Sequence, residues 1–99
     1  MNGKMILHRK GTGMKLNKDF LTHNMSEDYY LVPVGGTDFS GIVKGNKTMG
    51  IIIELLKNET TEDQIISAMK TRFDAPEEVL TRDVEKVLAE LRKIGALDE

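Results

Sequence analysis

Along this chain the spacing of hydrophobic positions changes character twice. Residues 1–13 hold no sustained period of two or of about 3.6; they carry Lys4, His8, Arg9 and Lys10 and end on Gly11-Thr12-Gly13, the pattern of a flexible tail. From Met14 the apolar positions become regular. Leu16, Phe20 and Leu21 predict a first short strand, and Asn24 to Asp28 predict a polar turn after it. Tyr29 to Val34 is dense in aromatic and β-branched residues, which suit a pleated, half-buried surface, and predicts a second strand. Pro33 has no N–H to donate to a ladder, so it belongs at a strand end, a bulge or an edge. Gly35-Gly36-Thr37-Asp38 permits a reversal into a third strand over Phe39 to Lys44.

After Gly45 the period becomes helical. Asn46 is placed to cap a helix whose stripe is Met49, Ile52, Ile53 and Leu56; Ile51 and Leu55 widen that stripe to much of the circumference, so heavy burial is expected. Thr61-Glu62-Asp63-Gln64 matches a capping box, and Ile65, Ile66, Met69 and Phe73 recur on one face of a second helix ending near Asp74. Asp74-Ala75-Pro76-Glu77 then offers a cap, an early proline and an acidic first turn. The third helix runs from there through Leu80, Val84, Val87, Leu88, Leu91 and Ile94 to Gly95, about five turns. Strands precede helices with no repeat, so the fold class is α+β: a three-stranded antiparallel sheet followed by three helices, a winged helix-turn-helix-like order, in one domain over residues 14–99. Three strands alone are marginal, and the sheet must lie against the helices.

Composition removes most chemistry from this frame. The 99 residues contain no cysteine, which excludes disulfides, thiolate nucleophiles and cysteine-held iron–sulfur clusters. His8 and His23 have no carboxylate at ligand spacing, and Ser26, Ser40 and Ser67 lack the glycines of a nucleophile elbow. Neither glycine-rich stretch precedes a helix with the Lys-Ser/Thr pair of a phosphate-binding loop. The helix carboxylates read as solvated faces. No catalytic residue, metal or cofactor is therefore expected, and the chain is read as a non-enzyme. No apolar run approaches the ~20 residues of a membrane span, and a cytoplasmic protein is expected.

Two non-catalytic roles remain. A winged-helix DNA reader wants a basic recognition helix, yet the first half of the third helix carries Glu77, Glu78, Asp83 and Glu85 against Arg82 alone. With 14 Lys and Arg against 16 Asp and Glu, the net charge of -2 adds no general attraction for nucleic acid. DNA binding stays as the alternative, on the basic residues Lys4, Arg9, Lys10 and Lys15. The other role is capture of an extended peptide: a third strand that ends the sheet leaves N–H and C=O groups for a partner strand, and Gly41 lets that backbone come close. Equally, the tail covers that edge and Gly41 only marks a bulge.

Val32-Pro33, Phe39-x-Gly41-Ile42, Asn46-x-Thr48, Leu55-Leu56, and Asp83-Val84 with Leu88, Leu91 and Gly95 together resemble the PqqD-like proteins, the recognition elements of ribosomally synthesised, post-translationally modified peptides. The resemblance runs from about Leu16 to Leu97. Gly45 stands where a leucine usually precedes the asparagine, and Ile53 stands where many relatives carry tryptophan. The resemblance implies a peptide chaperone that binds the leader of a precursor peptide as an added strand between the third strand and the third helix. It further implies presentation of that leader to a radical S-adenosylmethionine enzyme. A monomer or weak homodimer is expected. Carried over by position, the strand side of the cleft is Gly41, Ile42, Val43 and Lys44, and the helix side is Val79, Arg82, Asp83 and Lys86. Arg82 and Lys86 would pair with leader carboxylates and Val79 would line an apolar pocket. Asp83 is also within reach of a local salt bridge with Lys86 or Lys47.

Overall fold

Why the sheet needs the helices is visible in the core of the computed structural model, which describes residues 13–25, 28–35 and 41–99. The predicted tail, apart from Gly13, lies outside the described residues. So do residues 26 and 27 of the predicted turn and residues 36–40, which include the predicted start of the third strand. The elements are β1 (Lys15–Leu16), β2 (Phe20–Met25), β3 (Asp28–Pro33), β4 (Val43–Gly45), α1 (Lys47–Leu55), α2 (Glu62–Arg72), α3 (Glu77–Lys93) and β5 (Leu97–Asp98). β2, β3 and β4 form an antiparallel sheet in that order, and three helices follow, as the periodicity predicts. Phe20 and Leu31 from the sheet, Ile52 and Leu56 from α1, Ile65 and Met69 from α2, and Val84, Leu88 and Leu91 from α3 are all buried in one cluster. Among the described residues no polar or charged side chain is buried with them.

The predicted first strand divides in two. Asn17 accepts the Asp19 N–H on its own Oδ1 at 2.7 Å, a side-chain turn that breaks the extended run. Lys15–Leu16 therefore pairs away from the main sheet, with Leu97–Asp98 near the C-terminus, and Asn17 Nδ2 donates to Asp98 Oδ1 at 2.9 Å. Phe20–Met25 continues past the predicted turn at Asn24, and Met25 pairs with Asp28. Pro33 sits at the end of β3, where no ladder bond from it is needed.

Local chemistry sets the helix starts in two cases of three. Asn46 Oδ1 accepts the Met49 N–H at 3.0 Å at the head of α1. Thr61 and Gln64 close a reciprocal capping box at the head of α2. The predicted Asp74 cap is not formed: Phe73 is extended, Pro76 holds the cap position of α3, and no side chain caps it. Asp74, two residues further back, is too far upstream to serve the first turn. Glu77 and Glu78 supply its negative charge instead, and Glu77 pairs with Lys70 of α2 at 2.9 Å. α1 lies close against β3, because a Cβ on Gly50 would overlap the Tyr29 ring. α3 ends at Gly95, whose φ of 76° is the left-handed stop its position predicts. Among the described residues no helix is long and apolar enough to cross a membrane.

Candidate functional site

β4 is the outermost strand of its sheet, with β3 on one side and no strand among the described residues on the other. It is short because it starts at Val43. Gly41 has a φ of 143° and Ile42 lies outside the ladder, 63% exposed, so the predicted strand over 39–44 is in its described part Val43–Gly45. Val43 leans onto the core, and Lys44 stays exposed and reaches Asp28 on the neighbouring β3 at 3.7 Å. Such an edge leaves main-chain groups for a further strand.

Facing β4 across a groove is one side of α3. Lys44, Gly45, Asn46, Thr48 and Met49 line one wall, and Asp83, Lys86, Val87 and Glu90 line the other. The groove is open, about 320 Å³, near the small end of the ~300–1,000 Å³ typical of ligand sites. It suits one or two anchoring side chains of a larger ligand better than a whole small molecule.

The groove's charges are balanced and mostly unsatisfied. Lys44 and Lys86 face Asp83 and Glu90, and among the described residues no ion pair involves Asp83, Lys86 or Glu90. The local salt bridge expected for Asp83 with Lys86 or Lys47 is thus absent. Exposed pairs of this kind are worth well under ~1 kcal/mol, too little to hold two long side chains together, and the groups stay available to a ligand.

Of the expected site residues, the fold brings Lys44, Asp83 and Lys86 to the groove. Val79, 37% exposed, is on the same helical face one turn before Asp83. Gly41 and Ile42 precede the strand, and Val43 backs it from the core side. Arg82 turns elsewhere: with Glu77, Glu78, Thr81 and Glu85 it lines a second hollow at the start of α3. Gly45, Met49, Val87 and Glu90 escaped sequence reasoning as site residues. Met49 and Val87 were absorbed into core stripes, although Val87 and Glu90 lie one and two turns beyond Asp83 and repeat its face.

Beside the second hollow the electrostatics are acidic. Burial first, then repulsion and a hydrogen bond from Glu85, push the Glu62 carboxyl up. Near the chain's end the side-chain bonds from Arg92 Nε and Nη2 to Glu99, at 2.8 and 3.0 Å, hold the Glu99 carboxyl down. Among the described residues no three His, Asp or Glu side chains are placed to hold a metal ion.

An α+β module of winged-helix-like plan, with an open strand edge beside a helix-walled groove, is the class this geometry defines. Within it, the family model of coenzyme PQQ synthesis protein D (PqqD) matches residues 28–97, and the chain belongs to the PqqD family. The fold is similar to that of TbiB1, solved in complex with the TbiA(beta) leader peptide, with a TM-score of 0.72 at 14% identity over 84% of this chain and 93% of that one. No curated protein matches the chain.

Proposed function

We propose that the chain is a non-catalytic peptide-recognition module that binds the leader of a ribosomally made precursor peptide as an added strand along β4. The observation that carries this reading is the juxtaposition of the outer β4 edge with the groove walled by Asp83, Lys86 and Val87 of α3. Main-chain bonds to the edge supply affinity with little demand on sequence, and the groove supplies selection through a few side chains. Membership of the PqqD family and the leader peptide bound to TbiB1 support the same ligand class. The enzyme that receives the leader is a radical S-adenosylmethionine enzyme, which brings the cluster chemistry that a chain without cysteine does not supply. The acidic opening of α3, with Glu77 and Glu78, opposes the DNA alternative by repelling phosphate.

A titration followed by NMR tests this, using synthetic leader segments of any short precursor peptides found encoded beside this protein and, failing those, a panel of random extended peptides. Amide shifts should concentrate at residues 41–45 and on the Asp83, Lys86, Val87 and Glu90 face of α3. Shifts at the β2 edge instead, or no binding by any of these peptides, would overturn the reading.

A further inference from the structure

The floor of the groove holds a substitution of one residue's space by another's. Among the described glycines only Gly41 and Gly95 have positive φ, so backbone conformation does not demand glycine at position 45. What a side chain there would meet is Met49: a Cβ built on Gly45 would overlap its Sδ, the flexible far end of that side chain, and lie 3.0 Å from its Cβ and Cγ. The Met49 side chain, rooted on α1 and half-buried against the core, occupies the room that a side chain on β4 would take. Gly45, Met49 and Val87 all line the groove, so this borrowed volume is its apolar floor.

The origin of that volume matters. A branched side chain at position 45 would be anchored to the strand that receives the ligand and would present one shape. Methionine reaches the same place over three rotatable bonds, with a polarizable sulfur that accepts irregular partners. Around the floor Asp83, Lys86 and Glu90 have no partner among the described residues, and Lys44, the other charge that lines the groove, pairs with Asp28 on β3 through a loose, exposed contact of 3.7 Å, so an apolar group can be buried there without breaking a pair made by α3.

We propose that Met49 is the specificity-determining floor of the β4–α3 groove, an adjustable seat for one bulky apolar side chain of the bound strand. The inference rests on the peptide-binding reading above and adds the chemical class of the anchor: an apolar residue, variable in size, flanked by charge of either sign. Met49 moves aside for large anchors and fills in behind small ones. Gly45 is the permissive half of the pair, since any side chain there competes with Met49 for the same room.

A phage-displayed library of random peptides, selected separately on the wild-type chain, Met49→Ala and Met49→Ile, tests it. The wild type should enrich peptides sharing one apolar position that accepts Leu, Met or Phe. Met49→Ala should shift that position toward aromatic residues, and Met49→Ile, stiff at its branched Cβ, should narrow it to one size. For a single enriched sequence, the preference for an aromatic over an alanine anchor should grow roughly 10-fold in Met49→Ala. Thermal melts establish that each variant is folded, and Met49→Ile carries the comparison where Met49→Ala is not. Identical preferences in the folded variants, or enriched peptides with no shared apolar position, would overturn the inference while leaving strand addition intact. Enrichment of no peptide by the wild type would remove strand addition itself, and the inference with it.

Discussion

The two sides of α3 are built from the same helix and differ in every property that matters for function. Its inner side places Leu80, Val84, Leu88 and Leu91 in the core, fully satisfied by neighbours from the sheet and the other two helices. Its groove side places Asp83, Lys86, Val87 and Glu90 against a short strand edge, with charges that have no partner among the described residues. Burial on one side fixes where the helix lies, and that placement presents the other side to a ligand. Stability and recognition should therefore separate under substitution, even between residues a single turn apart.

The largest effect that sharpens this contrast is expected on the inner side. Leu88 is fully buried, and Leu88→Ala should cost about 2–5 kcal/mol through lost burial and the cavity left behind. In a domain of this size that lowers the melting temperature by more than about 8 °C. A thermal melt measures it, and a loss below about 1 kcal/mol would mean that α3 is not held by its inner face.

A smaller and opposite signature is expected on the groove side. Asp83→Ala and Lys86→Ala should leave stability within about 0.5 kcal/mol, because neither side chain is paired in the fold. Both should weaken leader binding in a calorimetric titration. Arg82→Ala is the internal control, since Arg82 lines the other hollow. A greater loss of binding from Arg82→Ala than from Lys86→Ala would move the ligand to the acidic start of the helix.

The fold was largely legible in the sequence because its signals are local. Asn46 and the Thr61–Gln64 box mark helix starts through their own hydrogen bonds, and the stripe from Leu80 to Leu91 is one helix's own period. What escaped depends on contacts between distant residues. Nothing near Leu16 reveals that it pairs with Leu97, and nothing near Asp74 reveals that Phe73 becomes extended and moves the cap to Pro76. The site shows the same division. Asp83 and Lys86 follow from the helical face and Lys44 from the family resemblance, whereas Met49 looks like one more core residue until its side chain is seen lying across Gly45. Arg82 lines the other hollow, a small rotation about the helix axis from Lys86 that face arithmetic on one element does not resolve.

The smallest effect lies at the periphery, where two carboxylates respond to pH with opposite sign. Glu99 is held down by Arg92, so its contribution to stability is present above the unfolded-state carboxylate pKa and is lost as pH falls through its lower folded value. Glu62 is pushed up by burial and by Glu85, so its contribution is full below the unfolded value and is lost as pH rises through its higher folded one. Glu99→Gln should then be less stable than the parent at neutral pH, and Glu62→Gln more stable, with both differences vanishing in acid. Each should stay below about 1 kcal/mol, since solvent screens both groups. Melting temperatures scanned through the carboxylate range measure the pair. Glu62 also stands in the first turn of α2, where the helix dipole favours its charge, so a Glu62→Gln variant less stable at neutral pH would show the dipole outweighing burial and the Glu85 repulsion.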